Sequence, residues 1–113
     1  MSVQPGQHNI SVQRRADFDL QLQFKDSTAT PIDLTGWTVY AQVWNRARST
    51  KYGDFTVTYT NRAQGTIKIA LTDTQTADFP EEAYYDVLLE DASGLRNYYL
   101  EGIVYVSEGY TAP

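Results

Sequence analysis

Histidine is the side chain that most readily moves protons near neutral pH, and this sequence of 113 residues has one, His8. No serine motif accompanies it that would build a nucleophilic triad. The chain has no cysteine, which removes a thiol nucleophile, a disulfide framework, thiolate-bound zinc and iron–sulfur ligation. Carboxylates do come in pairs, Asp17 with Asp19 and Glu81 with Glu82, and glycoside hydrolysis uses two such groups across a cleft. Asp17 and Asp19, however, alternate with apolar residues and so take the wet side of a strand, the ordinary place for a carboxylate. Asp73 and Asp78 with main-chain carbonyls could be imagined around calcium, but the spacing lacks the EF-hand pattern and its glycine. No glycine loop of the phosphate-cradling kind occurs. The expectation is a protein that is not an enzyme, with no catalytic, cofactor or metal site.

What the side chains offer instead is contact. Arg46, Arg48, Lys51 and Arg62 read as a local basic group, either a solvated loop face or a surface for an acidic partner. Aromatic residues make up 13% of the chain. Tyr40 and Trp44 share the parity opposite to Val39, Ala41 and Val43, and Tyr110 lies near the C-terminus. Exposed rings of this kind favour protein interfaces, where aromatics are enriched. The interface candidates are therefore Tyr40, Trp44, Arg46, Arg48, Lys51, Arg62 and Tyr110. A glycan platform built on Trp44 and the tyrosines is the alternative from another class. Trp37, opening a strand directly after Gly36, reads as a core anchor.

The elements that must position these groups are strands. Phe18, Leu20, Leu22 and Phe24 alternate with polar residues, the period of a half-buried strand. Shorter or similar patterns predict strands over 8–14, 37–46, 55–59, 67–71, 83–90 and 97–106, with Ala47–Gly53 as a polar connection. Asn61–Gly65 reads as a hairpin turn, and 72–79 as one helical turn capped by Thr72 or Asp73 and ended by Pro80. In the last strand Tyr98, Leu100, Val104 and Val106 share one parity and Tyr99, Ile103 and Tyr105 the other, so it is expected at the centre of a sheet. Seven short strands with turns between them predict an all-β, immunoglobulin-like antiparallel sandwich. One such domain fills residues 1–113, with tails over 1–7 and 108–113 that are flexible or ordered by a partner.

At 12.8 kDa the chain supports one core. No apolar run reaches the roughly 20 residues of a membrane helix, and no signal-peptide pattern opens the sequence. A net charge of −5 argues against nucleic acid as a partner. Residues 1–71 carry eight basic and five acidic side chains, whereas 72–113 carry one and nine. Either the two segments present different faces, or strands from both interleave and the asymmetry averages out.

The order of the segments carries a resemblance. Pro31-Ile32-Asp33-Leu34-Thr35-Gly36-Trp37-Thr38-Val39-Tyr40 follows a strand ending in Lys25-Asp26. Gly65-Thr66-Ile67-Lys68-Ile69, then Ala83-Tyr84-Tyr85-Asp86-Val87-Leu88, then Leu100-Glu101-Gly102-Ile103-Val104 come after it. Over about residues 8–109 this resembles the immunoglobulin-like sandwich domains of tailed-bacteriophage virion proteins, above all the N-terminal domain of upper baseplate proteins that anchor receptor-binding proteins. The resemblance implies a structural protein of the virion, made in the host cytoplasm and present in several symmetric copies. It would be a tail, baseplate or neck adaptor docking other virion proteins such as fibres, or else a capsid-decorating protein. Larger relatives continue into a helical or fibre-forming part; that part is expected on another polypeptide or not at all. In the motif, Pro31 and Gly36 shape a turn, Leu34 and Trp37 plug one end of the sandwich, and Asp33 caps local amides.

Overall fold

The computed structural model describes residues 6–110. They comprise β1 (Gly6–Gln7), β2 (Ile10–Gln13), β3 (Phe18–Gln23), β4 (Thr38–Trp44), β5 (Lys51–Asp54), β6 (Thr56–Asn61), a 3-10 turn (Arg62–Gln64), β7 (Thr66–Leu71), α1 (Asp73–Thr76), β8 (Glu82–Glu90) and β9 (Arg96–Ser107). The larger sheet runs β1-β9-β8-β4-β5, with β2 also on β9, and the smaller runs β3-β7-β6. This is the expected immunoglobulin-like sandwich. Its pairing is antiparallel except that β1 and β2 lie parallel to β9. That exception arises because the chain enters alongside its own last strand, which would otherwise be a free edge.

The apolar parities meet between the layers. Val39, Ala41 and Val43 of β4 and Ala83, Tyr85, Val87 and Leu89 of β8 are buried against Ile67, Ile69 and Leu71 of β7. Fully burying each Leu, Ile or Val contributes about 1.5–3 kcal/mol. Leu34 is fully buried, while Trp37 is only half-buried and packs edge-on against Tyr99 at 6.5 Å. Asp33 Oδ1 accepts from the Thr35 amide at 3.0 Å, as the motif predicts. At Gly65 the backbone takes φ 69°, and an added Cβ would stand 2.7 Å from the carbonyl oxygens of Phe24 and Ile32. Only glycine fits that close approach.

Three local readings change. The connection expected over Ala47–Gly53 contains a strand, β5: Lys51–Asp54 has no alternation to reveal it, because it is an edge strand paired only with β4. The chain then crosses to the other layer at buried Phe55, whose amide donates to the Ala41 carbonyl. The strand expected over 8–14 is shorter, β2 alone, and the two-residue β1 precedes it on the far side of His8 and Asn9. Of the expected tails, 1–5 and 111–113 lie outside the described residues, Gly6–Gln7 pair with Leu100–Glu101, and Glu108 meets the guanidinium groups of Arg14 and Arg15. Finally, the parity of the last strand is broken by a bulge. Leu88 faces Tyr98 but Val87 faces Leu100, leaving Tyr99 unpaired in the β8–β9 ladder. Tyr98 therefore lies outward with Glu101, Ile103 and Tyr105, while Tyr99 turns inward onto Phe24 and Trp37.

Candidate functional site

Of the carboxylates considered for catalysis, Asp17 has local structural work. Asp17 Oδ1 accepts the amide of Asp73 at 2.8 Å, the first residue of α1. Thr72 is the cap of that turn, and its hydroxyl and the Gln75 side chain close a capping box. His8 acts through its main chain: its amide donates to Glu101 and its carbonyl accepts from the Tyr85 hydroxyl. Burial pushes the pKa of that hydroxyl up to about 12. Among the described residues no group of three His, Cys, Asp or Glu side chains comes close enough to hold a metal ion.

The basic group divides in space. Arg62 lies at the entry to β4, where its Nη1 donates to the carbonyls of Leu34 at 3.0 Å and Trp37 at 2.8 Å. Its guanidinium sits 3.6 Å over the Tyr59 ring, and the Tyr59 hydroxyl in turn accepts from the Val39 amide. Arg46 and Arg48 follow the opposite end of that seven-residue strand, about 20 Å away at strand rise. Lys51 pairs with Asp54 on β5 at 3.0 Å. Tyr110 is 94% exposed and stands apart from the others. Arg62 stands apart because β5 and β6 carry the chain back from the end of β4 to its beginning.

Tyr40, Trp44, Arg46 and Arg48 do come together, on the outer face of the larger sheet, in a broad depression of about 690 Å³. The register gives it order. One row across the strands is Trp44, Tyr84 and Ile103; the next is Gln42, Asp86, Glu101 and Gln7; the next is Tyr40, Leu88 and Tyr98. Rows are spaced by about 7 Å and strands by about 4.8 Å. Rings thus flank a polar row on both sides. Tyr40 and Tyr98 remain 42% and 49% exposed. Trp44 is half-buried, donates its indole N–H to Gln42 Oε1 at 2.8 Å and carries the Arg48 guanidinium 4.5 Å from its ring. The Arg48 backbone sits at φ 57°, a left-handed conformation costly outside glycine. The asparagine before it sets the loop: Asn45 Oδ1 accepts the amides of Ser49 and Thr50.

At the centre of the face two carboxylates stand directly opposite each other, Asp86 on β8 and Glu101 on β9. Glu101 accepts one hydrogen bond, from Gln7. Asp86 is half-buried, and among the described residues no ion pair reaches it. Burial foremost, then the charge of Glu101, raises its pKa against an opposing pull from Arg48. Neither carboxylate stands out in the sequence as a site residue. Each occupies an outward position of its own strand, and only the bulge brings them level.

A family model described as the LtfC-like, beta-sandwich domain matches residues 4–107. The chain belongs to this family. The LtfC-like family is associated with phage tail fibres, which agrees with a phage β-sandwich domain. No curated protein matches the sequence. Among solved structures the LtfC-like chain is similar to one titled "Crystal structure of the Lin-41 filamin domain", at 13% identity and a TM-score of 0.49, over 88% of this chain and 84% of that one. Among the described residues no helix is long and apolar enough to cross a membrane.

Proposed function

We propose that this LtfC-like domain is a non-enzymatic structural adaptor of a phage particle, docking another virion protein, such as a fibre, through the outer face of its larger sheet. The observation that carries the reading is a ring-bordered, charged face left uncovered on a domain of a tail-fibre-associated family. Protein interfaces favour such surfaces, with aromatic and arginine anchors around a desolvated centre. The family and the likeness of the segment order to baseplate anchoring domains support a tail or baseplate location; several symmetric copies are part of the same reading.

Labelling intact particles with an antibody to this protein tests it, with isolated tails and tail-less heads as separate preparations. Label on tails is expected, and Trp44→Ala should release the protein from them. Label on heads alone would transfer it to capsid decoration. A glycan-binding role is the second reading, favoured by the exposed Tyr40 and Tyr98 rings beside a polar row. It predicts glycan-array binding that Trp44→Ala abolishes and salt leaves unchanged.

A further inference from the structure

Like charges directly opposite on neighbouring strands are destabilising, and sequences that break a local rule at a cost to the fold usually do so where they work. Asp86 and Glu101 break this one at the middle of the larger sheet's exposed face. The surroundings make the choice more telling. Tyr84 and Trp44 border the pair on one side, Tyr40 and Tyr98 on the other. Two carboxylates between aromatic walls describe a receptacle for a cation, because ring faces and carboxylates both attract positive charge.

We infer that the Asp86–Glu101 row is the seat of an arginine side chain presented by the partner protein that docks on this face. The inference rests on the adaptor reading and names the partner's chemistry. Arginine fits better than lysine: a planar guanidinium stacks on rings and meets carboxylates in a bidentate fork, whereas an ammonium is a compact, strongly hydrated point charge. The protein supplies an internal example, since its own Arg48 already lies on Trp44. Arg48 does not fill the seat, as no ion pair within 4 Å joins it to Asp86. Nor do the other cations of the face. Arg96 is engaged by Glu90, and Arg46 lies toward Tyr84 at the rim. Two carboxylates without a third acidic or histidine ligand among the described residues suit a guanidinium better than a calcium ion, which takes six to eight oxygens.

The test is a nuclear magnetic resonance titration of the free protein with N-acetyl-arginine methylamide, following the Trp44 indole N–H. The citrulline analogue, isosteric and uncharged, is the control, and methyl glucoside is the competing chemistry. Arginine is expected to give saturable shifts in the millimolar range, weakened about ten-fold or more in Asp86→Asn, with none from citrulline. Glu101→Gln serves as a second variant should Asp86→Asn lose its native spectrum. Equal binding of citrulline, saturation by the glucoside alone, no saturable shift with arginine, or undiminished affinity in both variants would each overturn the seat. Because the titration uses free protein, these failures are separate from failure of the adaptor reading, which shows as absence of the protein from particles.

Discussion

Asp86 and Arg62 are both charged groups set partly into protein, and they act in opposite senses. Arg62 is satisfied: two main-chain carbonyls and a tyrosine ring surround its guanidinium. Charge-assisted hydrogen bonds contribute about 1.5–3 kcal/mol and a cation over a ring ~0.5–2. Arg62→Ala is expected to cost roughly 2–4 kcal/mol in denaturant unfolding, and Arg62→Lys to recover little, because an ammonium cannot reproduce the planar stack. Particle attachment should be unchanged at temperatures where the variant is folded. Asp86 has no ion-pair partner among the described residues. Its pKa is raised in the folded state, so the charged form costs stability above that raised value, and the cost disappears once pH falls below the ordinary carboxylate value of about 3.9. Asp86→Asn should therefore unfold at higher temperature than wild type at pH 7, with the gap closing on acidification; a wild type more stable than the variant at pH 7 contradicts the argument. The turn aspartates behave inversely. Hydrogen bonds led by the hydroxyls of Thr28, Thr35 and Ser93 lower the pKa values of Asp26, Asp33 and Asp91, so their contributions are present above the ordinary value and lost as pH falls through the lowered ones.

At the scale of elements, the β8–β9 hairpin determines what the face presents. From Glu90 opposite Arg96, regular pairing would bring Asp86 level with Leu100; the extra residue, Tyr99, advances the register so that Glu101 arrives there instead. Glu101→Lys replaces a like-charge pair by an opposite one and should raise stability by about 0.2–1 kcal/mol in thermal unfolding, while abolishing arginine binding. The same hairpin requires Gly102. A Cβ there would lie 2.0 Å from the His8 carbonyl oxygen, where the N-terminal chain crosses β9. Gly102→Ala is expected to cost about 1–3 kcal/mol through displaced backbone, with loss of the slowest-exchanging β1 and β2 amides as the local readout. Much of this level was legible beforehand. The alternations of β3, β4, β7 and β8 and the turn at Asn61–Gly65 follow from local periodicity and glycine. The bulge was not, because one inserted residue leaves no mark in a strand that is apolar on both parities.

Across the whole molecule, the acidic surplus of residues 72–113 has a place. The smaller sheet is drawn entirely from the first segment, whereas β8 and β9 pair at the middle of the larger one. Outward from those two strands stand Glu82, Asp86, Glu90 and Glu101 against a single Arg96. Strands do interleave in the larger sheet, as one of the two readings of the charge held, but the acids stay together because the two strands that bear them are neighbours. Attachment through this face should weaken as salt rises from 0.01 to 0.15 M, over which the Debye length falls from about 30 to 8 Å. Surface plasmon resonance of this protein on dissociated tails measures it, and salt-indifferent attachment would contradict a charged docking face.

From its own residues the chain specified its layers: period-2 alternation makes strands with one apolar side, and such strands must stack in pairs to remove that side from water. Its alternating strands specified a β-sandwich, and the family match agrees with a domain of that structural type. Which side chains meet was decided by the tertiary structure. Arg62 left the basic group, and Asp86 met Glu101, because pairing register and strand length join positions that local sequence keeps apart.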